Sequence, residues 1–341
     1  MVYVSDVFTE GTERMATLSD DKLQQLSQDI PDILYSSRAE STNHSYGLAY
    51  KKWRLWASAY PEVLPLPAQA NHVLLYLVEL EKQATSFSIL NLAVCAIKWA
   101  HSMAGLDSPT DSILIKEALL GFKRRLAQPT IRKEPFTKEQ IMQIIDVMDV
   151  TSLADVRNTA LIVLAFFGLL RVSELRALKA QDIQWLDDHI VLHIRKSKCD
   201  QLRSGDKVYI ARLGGKYCPI LVFDKYIEMS GMSTSDLISD DFIFRRVIPQ
   251  HGSFKLALNN IAMTYSRIRD VVKLKAEQIG LSKENFSTHS MRSGGATAAA
   301  NANVDDRILQ RHGRWATACS KNRYVKDDVS HMLSISKVIG F

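Results

Sequence analysis

The sequence predicts a mainly α protein of two domains, an N-terminal helical bundle and a mostly helical second domain with a small β-sheet. Three observations predict it. Residues 20–128 keep a helical hydrophobic period that no strand pattern interrupts. The run Ala127-Gln-Pro-Thr-Ile-Arg-Lys-Glu-Pro135 has two prolines and no apolar period, and reads as extended linker. Beyond it, two short β-type stretches, His189–Arg195 and Lys207–Ala211, punctuate otherwise helical patterning. At 341 residues, 46% hydrophobic and 23% charged, the chain exceeds one ordinary domain and can bury real cores.

The expected divisions are an arm at 1–19, a first domain at 20–128, a linker at 129–135 and a second domain at 136–341. The arm is polar, with Gly11 and no sustained period. Asp20 and Asp21 open the first helix, and Ser41 or Thr42 is the expected cap of a second one running to Tyr60. Tyr46, Tyr50, Trp53 and Trp56 or Ala57 recur there every three or four residues, which makes one apolar face. Pro61, Pro65 and Pro67 end it. Further helices are expected over Ala70–Gln83, Ser86–Ala104 and Ser112–Leu126. Past the linker, Thr137 with Gln140 forms a capping-box pattern, and another helix spans about Leu153–Gly168.

Composition excludes several classes. The aliphatic stretches are too short and too interrupted to span a bilayer, and the N-terminus lacks a secretory pattern. An intracellular protein without membrane contact is expected, nuclear if the source is eukaryotic and otherwise cytoplasmic. Cys95, Cys199, Cys218 and Cys319 form no C-x-x-C pair, so neither structural zinc nor a disulfide framework is expected. Charge is uneven: residues 1–40 hold eight acids against three bases, so the rest of the chain carries +11 of a net +6. A basic body suits a polyanionic partner. Lys123, Arg124 and Arg125 precede the linker and Arg132 and Lys133 lie in it, candidates for phosphate contact.

Five spots in the second domain carry chemistry. Arg171 and Glu174, in Gly168-Leu-Leu-Arg171-Val-Ser-Glu174, sit three apart, so a helical turn lets the carboxylate orient the guanidinium. His289 and Arg292 share a helix face, and the small residues after them (Ser293-Gly-Gly-Ala) permit close packing. Trp315 follows Arg314, Tyr324 comes nine residues after Trp315, and Lys198 follows the first β-stretch. Each alone has an ordinary reading. An isolated surface ion pair, for instance, is worth roughly 0–1 kcal/mol.

In this order the five resemble the tyrosine recombinase (lambda-integrase) family. The phrases FGLLRVSELRALKAQDI and THSMRSGGATAAANANVDDRILQRHGRW, followed by NRYV, carry the match. It is specific over 160–326 and weaker back to residue 20, where AIKWAHSMAGLDSPTDS is similar to a helix ending in that family's DNA-binding domain. The C-terminal half resembles members carried by eukaryotic mobile elements. Trp315 stands where most of the family has His, and an indole only donates, so no proton transfer is expected there. The catalytic lysine is Lys196 or Lys198; Ser197-Lys198 resembles the family's Ser/Thr-Lys, which favours Lys198.

The resemblance implies a site-specific recombinase, a two-domain clamp on duplex DNA that cleaves and rejoins strands through a 3′-phosphotyrosine. Tyr324 is then the nucleophile. Arg171, Arg292, His289 and Trp315 stabilise charge on the phosphate, Glu174 orients Arg171, and Lys198 protonates the departing oxygen. A tyrosine hydroxyl titrates near about 10, so His289 is the candidate proton acceptor. No metal or cofactor is implied. The helix near Ser41 would present Thr42, Asn43, Ser45, Lys51 or Lys52 to a groove, its Tyr/Trp face turned inward. The implied partners are double-stranded DNA with paired inverted half-sites and three further copies, in a tetramer linked by C-terminal helices. A type IB topoisomerase and a domesticated, non-cleaving DNA-binding protein are the alternative readings.

Overall fold

The computed structural model describes residues 19–129, 132–195, 205–232, 239–250 and 253–340. They fall into two compact units, dividing at 130–131. No described helix is long and apolar enough to cross a membrane.

The first unit is helical: α1 (Asp21–Ser36), α2 (Glu40–Ala57), α3 (Ala70–Gln83), α4 (Phe87–Met103) and α5 (Ile113–Arg125). The Asp20 carboxylate caps α1 by accepting the N–H groups of Lys22 and Leu23, both at 3.0 Å. Helix α2 departs from expectation at its start. It begins at Glu40 behind Ala39, with no side-chain cap, so Ser41 and Thr42 lie inside the helix. Its apolar period then dictates the packing. Tyr50, Trp53 and Ala57 are buried against Tyr76, Leu77, Leu90 and Ile97 of α3 and α4. The Trp53 ring is wholly buried, its indole donating to the Pro65 carbonyl at 3.0 Å and its face stacked on Trp56. A buried Trp that satisfies its N–H is a large contribution to so small a core.

In the second unit the helices are α6 (Lys138–Asp146), α7 (Leu153–Phe167), α8 (Val172–Ala177), α9 (Pro219–Ser230), α10 (Tyr265–Gln278), α11 (Thr288–Asn301), α12 (Asp306–His312), α13 (Ala318–Asn322) and α14 (Val329–Ile339). Thr137 and Gln140 form the expected capping box, bonded reciprocally at 2.9 and 3.2 Å. The apolar run of α7 has no polar face to give to water. Val156 and all of Ala160–Phe166 are buried, and the helix runs through the middle of the unit.

The expected hairpin is part of a three-stranded antiparallel sheet, β1 (Ile183–Trp185), β2 (His189–Ile194) and β3 (Asp206–Ala211), with Val191 opposite Tyr209. The short β1 and a second hairpin, β4 (Val247–Gln250) with β5 (Ser253–Leu256), were not expected from the sequence. Helix α11 crosses the end of α7 at backbone distance. A Cβ on Gly294 would lie 2.2 Å from the Phe136 carbonyl oxygen, and one on Gly295 2.1 Å from that of Phe166. The Gly-Gly pair therefore brings the N-terminal turns of α11 against the end of α7, just ahead of Arg171.

Candidate active site

Two turns build the site. The first, Gly168-Leu169-Leu170, ends α7 and leads into α8 with Arg171 at its N-cap. Leu169 takes a left-handed φ of 45° there. In the second, after α12, Gly313 is followed by Arg314 at a φ of 55°. Left-handed backbone is uncommon for residues other than glycine, and here it aims carbonyl oxygens inward at two adjacent points.

Those oxygens hold arginines. Arg292, on the first turns of α11, is 1% exposed, and it donates through Nη1 to the Leu169 carbonyl and through Nη2 to that of Gly313. Its guanidinium lies 4.5 Å from the Trp315 ring centroid and 5.1 Å from that of Tyr324. Burial, then the nearby Arg171 and Arg314 charges, pull the Arg292 guanidinium below its ordinary value, while Glu174 and Tyr324 act the other way. Gly313 must be glycine for Trp315 to sit here, since a Cβ would fall 1.9 Å from the indole ring.

Arg171 donates through Nη1 to Glu174 Oε1 at 2.7 Å and through Nη2 to the Arg314 carbonyl at 3.1 Å. The Arg171 N–H reaches Glu174 Oε2 at 2.8 Å, so the carboxylate also closes the first turn of α8. Burial alone pushes the Glu174 carboxyl up. The Arg314 charge and the hydrogen bonds from Arg171 and Arg314 outweigh it and leave the group below the usual carboxylate value.

Tyr324 follows α13, half-buried, its ring centroid 5.5 Å from Trp315 and 6.2 Å from His289. His289 is exposed on the first turn of α11. Trp315 is 5% exposed, and its Nε1 is buried without a hydrogen-bond partner among the described residues. The structure thus brings Arg171, Glu174, His289, Arg292, Trp315 and Tyr324 to one locus. Lys198 and the alternative Lys196 lie outside the described residues.

Two residues that no sequence motif marks hold this locus together. Arg314, 6% exposed, reaches Glu174 Oε2 and the Leu169 carbonyl with Nη2, each at 2.8 Å. His312 ties α12 to the end of α7 through Nε2 and the Phe167 carbonyl at 2.9 Å. The only signal for either was proximity to Trp315.

The expected DNA-facing residues divide. Ser45, Lys51 and Lys52 are exposed on α2, and Thr42 is half-buried. Asn43 corrects the expectation: it is 3% exposed, and its Nδ2 donates to the Tyr35 carbonyl at 2.7 Å. Lys123, Arg124 and Arg125 are exposed at the end of α5, with Arg125 Nε 3.1 Å from Glu81. Arg132 and Lys133 are exposed, and Lys133 Nζ donates to the Glu284 carbonyl at 2.6 Å.

With this geometry in place, comparison with known proteins gives a family. The chain is similar to an integrase/recombinase xerD homolog of Selenomonas ruminantium, 24% identical over 307 residues that cover 89% of this chain and 86% of that protein. It is 23% identical to tyrosine recombinase XerA of Pyrococcus horikoshii over 266 residues, 77% of this chain and 78% of that one. Its fold matches the crystal structure of XerH site-specific recombinase bound to palindromic difH substrate, a post-cleavage complex. The TM-score is 0.62 at 14% identity, over 99% of this chain and 95% of that one. Residues 134–331 match the phage integrase family. The chain therefore belongs to that family, the tyrosine recombinases of the lambda-integrase type.

Proposed function

We propose that this protein is a site-specific DNA recombinase that cleaves and rejoins strands by transesterification through Tyr324. One observation carries the reading: the buried Arg292 guanidinium and the Trp315 N–H, which has no partner among the described residues, sit beside the Tyr324 ring, with Arg171 held next to them. Two fixed guanidinium forks and a buried indole N–H beside them suit one phosphate, whose non-bridging oxygens gain charge as the nucleophile closes in line.

In the proposed reaction the Tyr324 oxygen bonds to phosphorus and the bond to the 5′-oxygen breaks. The tyrosine proton passes to a base, for which His289 is the candidate, and the departing 5′-oxygen takes a proton from Lys198. The 3′-phosphotyrosine conserves the ester, and attack by a 5′-hydroxyl reverses the step on the same or another strand. Glu174 accepts no proton in this scheme. Its two oxygens are occupied in orienting Arg171.

The two units are proposed to close on duplex DNA. Ser45, Lys51 and Lys52 of α2 and the basic end of α5 meet the backbone, and paired inverted half-sites bring in further copies. The C-terminal helix α14 links those copies in a tetramer. The reading is tested by incubating the protein with a nicked duplex that carries its half-site, so that the cleaved end diffuses away. A protein–DNA adduct that survives denaturation supports it; absence of any adduct from wild-type protein bound to that site refutes it.

A further inference from the structure

Arg314 occupies a left-handed backbone position that glycine adopts freely and other residues seldom do. The residue is nevertheless the largest cation that could stand there, and it is almost wholly buried. Its guanidinium contacts both the Arg171 turn and its own turn after α12. Nη2 reaches Glu174 Oε2 and the Leu169 carbonyl at 2.8 Å each, while Nη1 reaches the His312 carbonyl at 2.6 Å and that of Gly168 at 3.4 Å. Its own carbonyl accepts Arg171 Nη2 at 3.1 Å.

We infer that Arg314 is a positioning residue for the strand-cleavage step: by fixing the Glu174 carboxylate from behind and Arg171 Nη2 from the side, it sets the aim of the Arg171 guanidinium. This rests on the function proposed above. A carboxylate bonded to Arg171 alone could turn with that side chain and would not determine its direction. Here Oε2 is shared between the Arg171 backbone N–H and the Arg314 guanidinium, while Oε1 takes the Arg171 side chain. The plane of the carboxylate is thereby fixed by two groups that do not move with the Arg171 side chain.

The Arg314 side chain also secures the backbone on which it stands. By binding the carbonyls of both turns it locks the left-handed φ that points its own oxygen at Arg171. The Leu169 oxygen it grips is the one that also receives Arg292. One buried cation therefore registers both guanidinium forks against the end of α7, with Arg171 reached through Glu174 and Arg292 through a shared carbonyl.

The experiment compares wild-type protein with Arg314→Gly, Arg314→Gln and Glu174→Gln, and with the double variant Glu174→Gln/Arg314→Gly. Glycine keeps the backbone conformation while removing the guanidinium, and glutamine keeps a long side chain if glycine fails to fold. Melting temperature, affinity for the half-site and single-turnover adduct formation at saturating DNA are measured for each. Expected is half-site affinity close to wild type with an adduct rate down on the order of 10²-fold, the scale of a misplaced catalytic group. The double variant should be little worse than either single one, because both act on Arg171 along one chain of contacts. Millimolar guanidinium should restore part of the Arg314→Gly rate, an outcome that a loss of fold would not give.

An adduct rate within about threefold of wild type in either Arg314 variant overturns the inference, since a positioning role scales near 10²-fold. So does a rate that falls only in step with melting temperature and is deaf to guanidinium. A wild-type protein that forms no adduct refutes the recombinase reading itself. An adduct that survives in wild type and is untouched by the variants refutes Arg314 alone.

Discussion

Arg292 carries its guanidinium over the face of the Tyr324 ring, 5.1 Å from the centroid. The two backbone carbonyls that hold Arg292 fix it to the end of α7, so the ring packs against a cation that cannot follow it. Replacing Tyr324 by Phe keeps that ring and deletes one oxygen. The expected outcome is a melting temperature near wild type, normal or tighter half-site binding, and no covalent adduct on a denaturing gel of labelled DNA. A clear adduct from Tyr324→Phe would show that another residue attacks the phosphate.

Arg171 and Arg292 should separate by their effects on stability. Each supplies phosphate donors in the proposed reaction, and losing one donor of that kind lowers a rate by about 10²–10³. Arg292→Ala also strips the Leu169 and Gly313 carbonyls of a buried donor, which destabilises by roughly 1–3 kcal/mol. Arg171 is the more exposed of the two. The expected result is comparable loss of adduct formation in Arg171→Ala and Arg292→Ala, with a marked fall in melting temperature only for the latter. Equal stability of the two variants would mean that the Arg292 contacts to the two turns are weak in solution.

Much of the frame was legible because local chemistry decided it. The capping box at Thr137, the Asp20 cap and the Arg171–Glu174 pair all depend on residues a few positions apart. Asn43 was misread as outward-facing although it precedes Tyr46, Tyr50, Trp53 and Ala57 on the same helical period. Its side chain is polar but its position is an inward one, and the Tyr35 carbonyl satisfies it there. Strand β1 is three residues long, and β4 contains Pro249, so neither carries an alternation that sequence could reveal. Arg314 was hidden for another reason. Its role depends on a left-handed turn and on Glu174, 140 positions earlier, and no local pattern encodes that meeting.

Mild acid should loosen the second unit through His312. Burial holds its imidazole below the ordinary 6.5; the Phe167 carbonyl opposes this, and the Arg314 and Arg292 charges add to it. An unfolded histidine protonates near that ordinary value while the folded one resists, so its stabilising share is complete above it and is lost as pH falls through the folded value. His101 in the first unit is shifted the same way by burial, so a variant must isolate the effect. Glutamine can still donate to Phe167 but does not titrate. Between about pH 7.5 and about pH 5.5, wild type should lose more melting temperature than His312→Gln. The difference should be roughly 2–4 °C for each kcal/mol at this domain size. Parallel curves for the two proteins would place the acid sensitivity elsewhere.

The C-terminal helix α14 should serve assembly and leave the single-site complex unaffected. Val329, Met332, Leu333, Ile335, Val338 and Ile339 line it, and all are exposed, Val338 at 84% and Ile339 at 74%. An isolated helix shorter than about 12–15 residues is marginal in water, so a stable α14 needs a surface to pack on. Burying those side chains on another copy would contribute about 25 cal/mol per Å² of apolar area removed from water. Packing within its own chain would contribute the same, but among the described residues these side chains are left exposed. Deleting residues 330–341 should therefore leave the melting temperature and half-site affinity close to wild type. The same deletion should abolish complexes that hold two duplex sites together, read as the slowest band on a native gel. Retention of that band in the truncated protein would show that the tail does not link protomers. A melting temperature several degrees lower would show that in solution it folds back on its own unit.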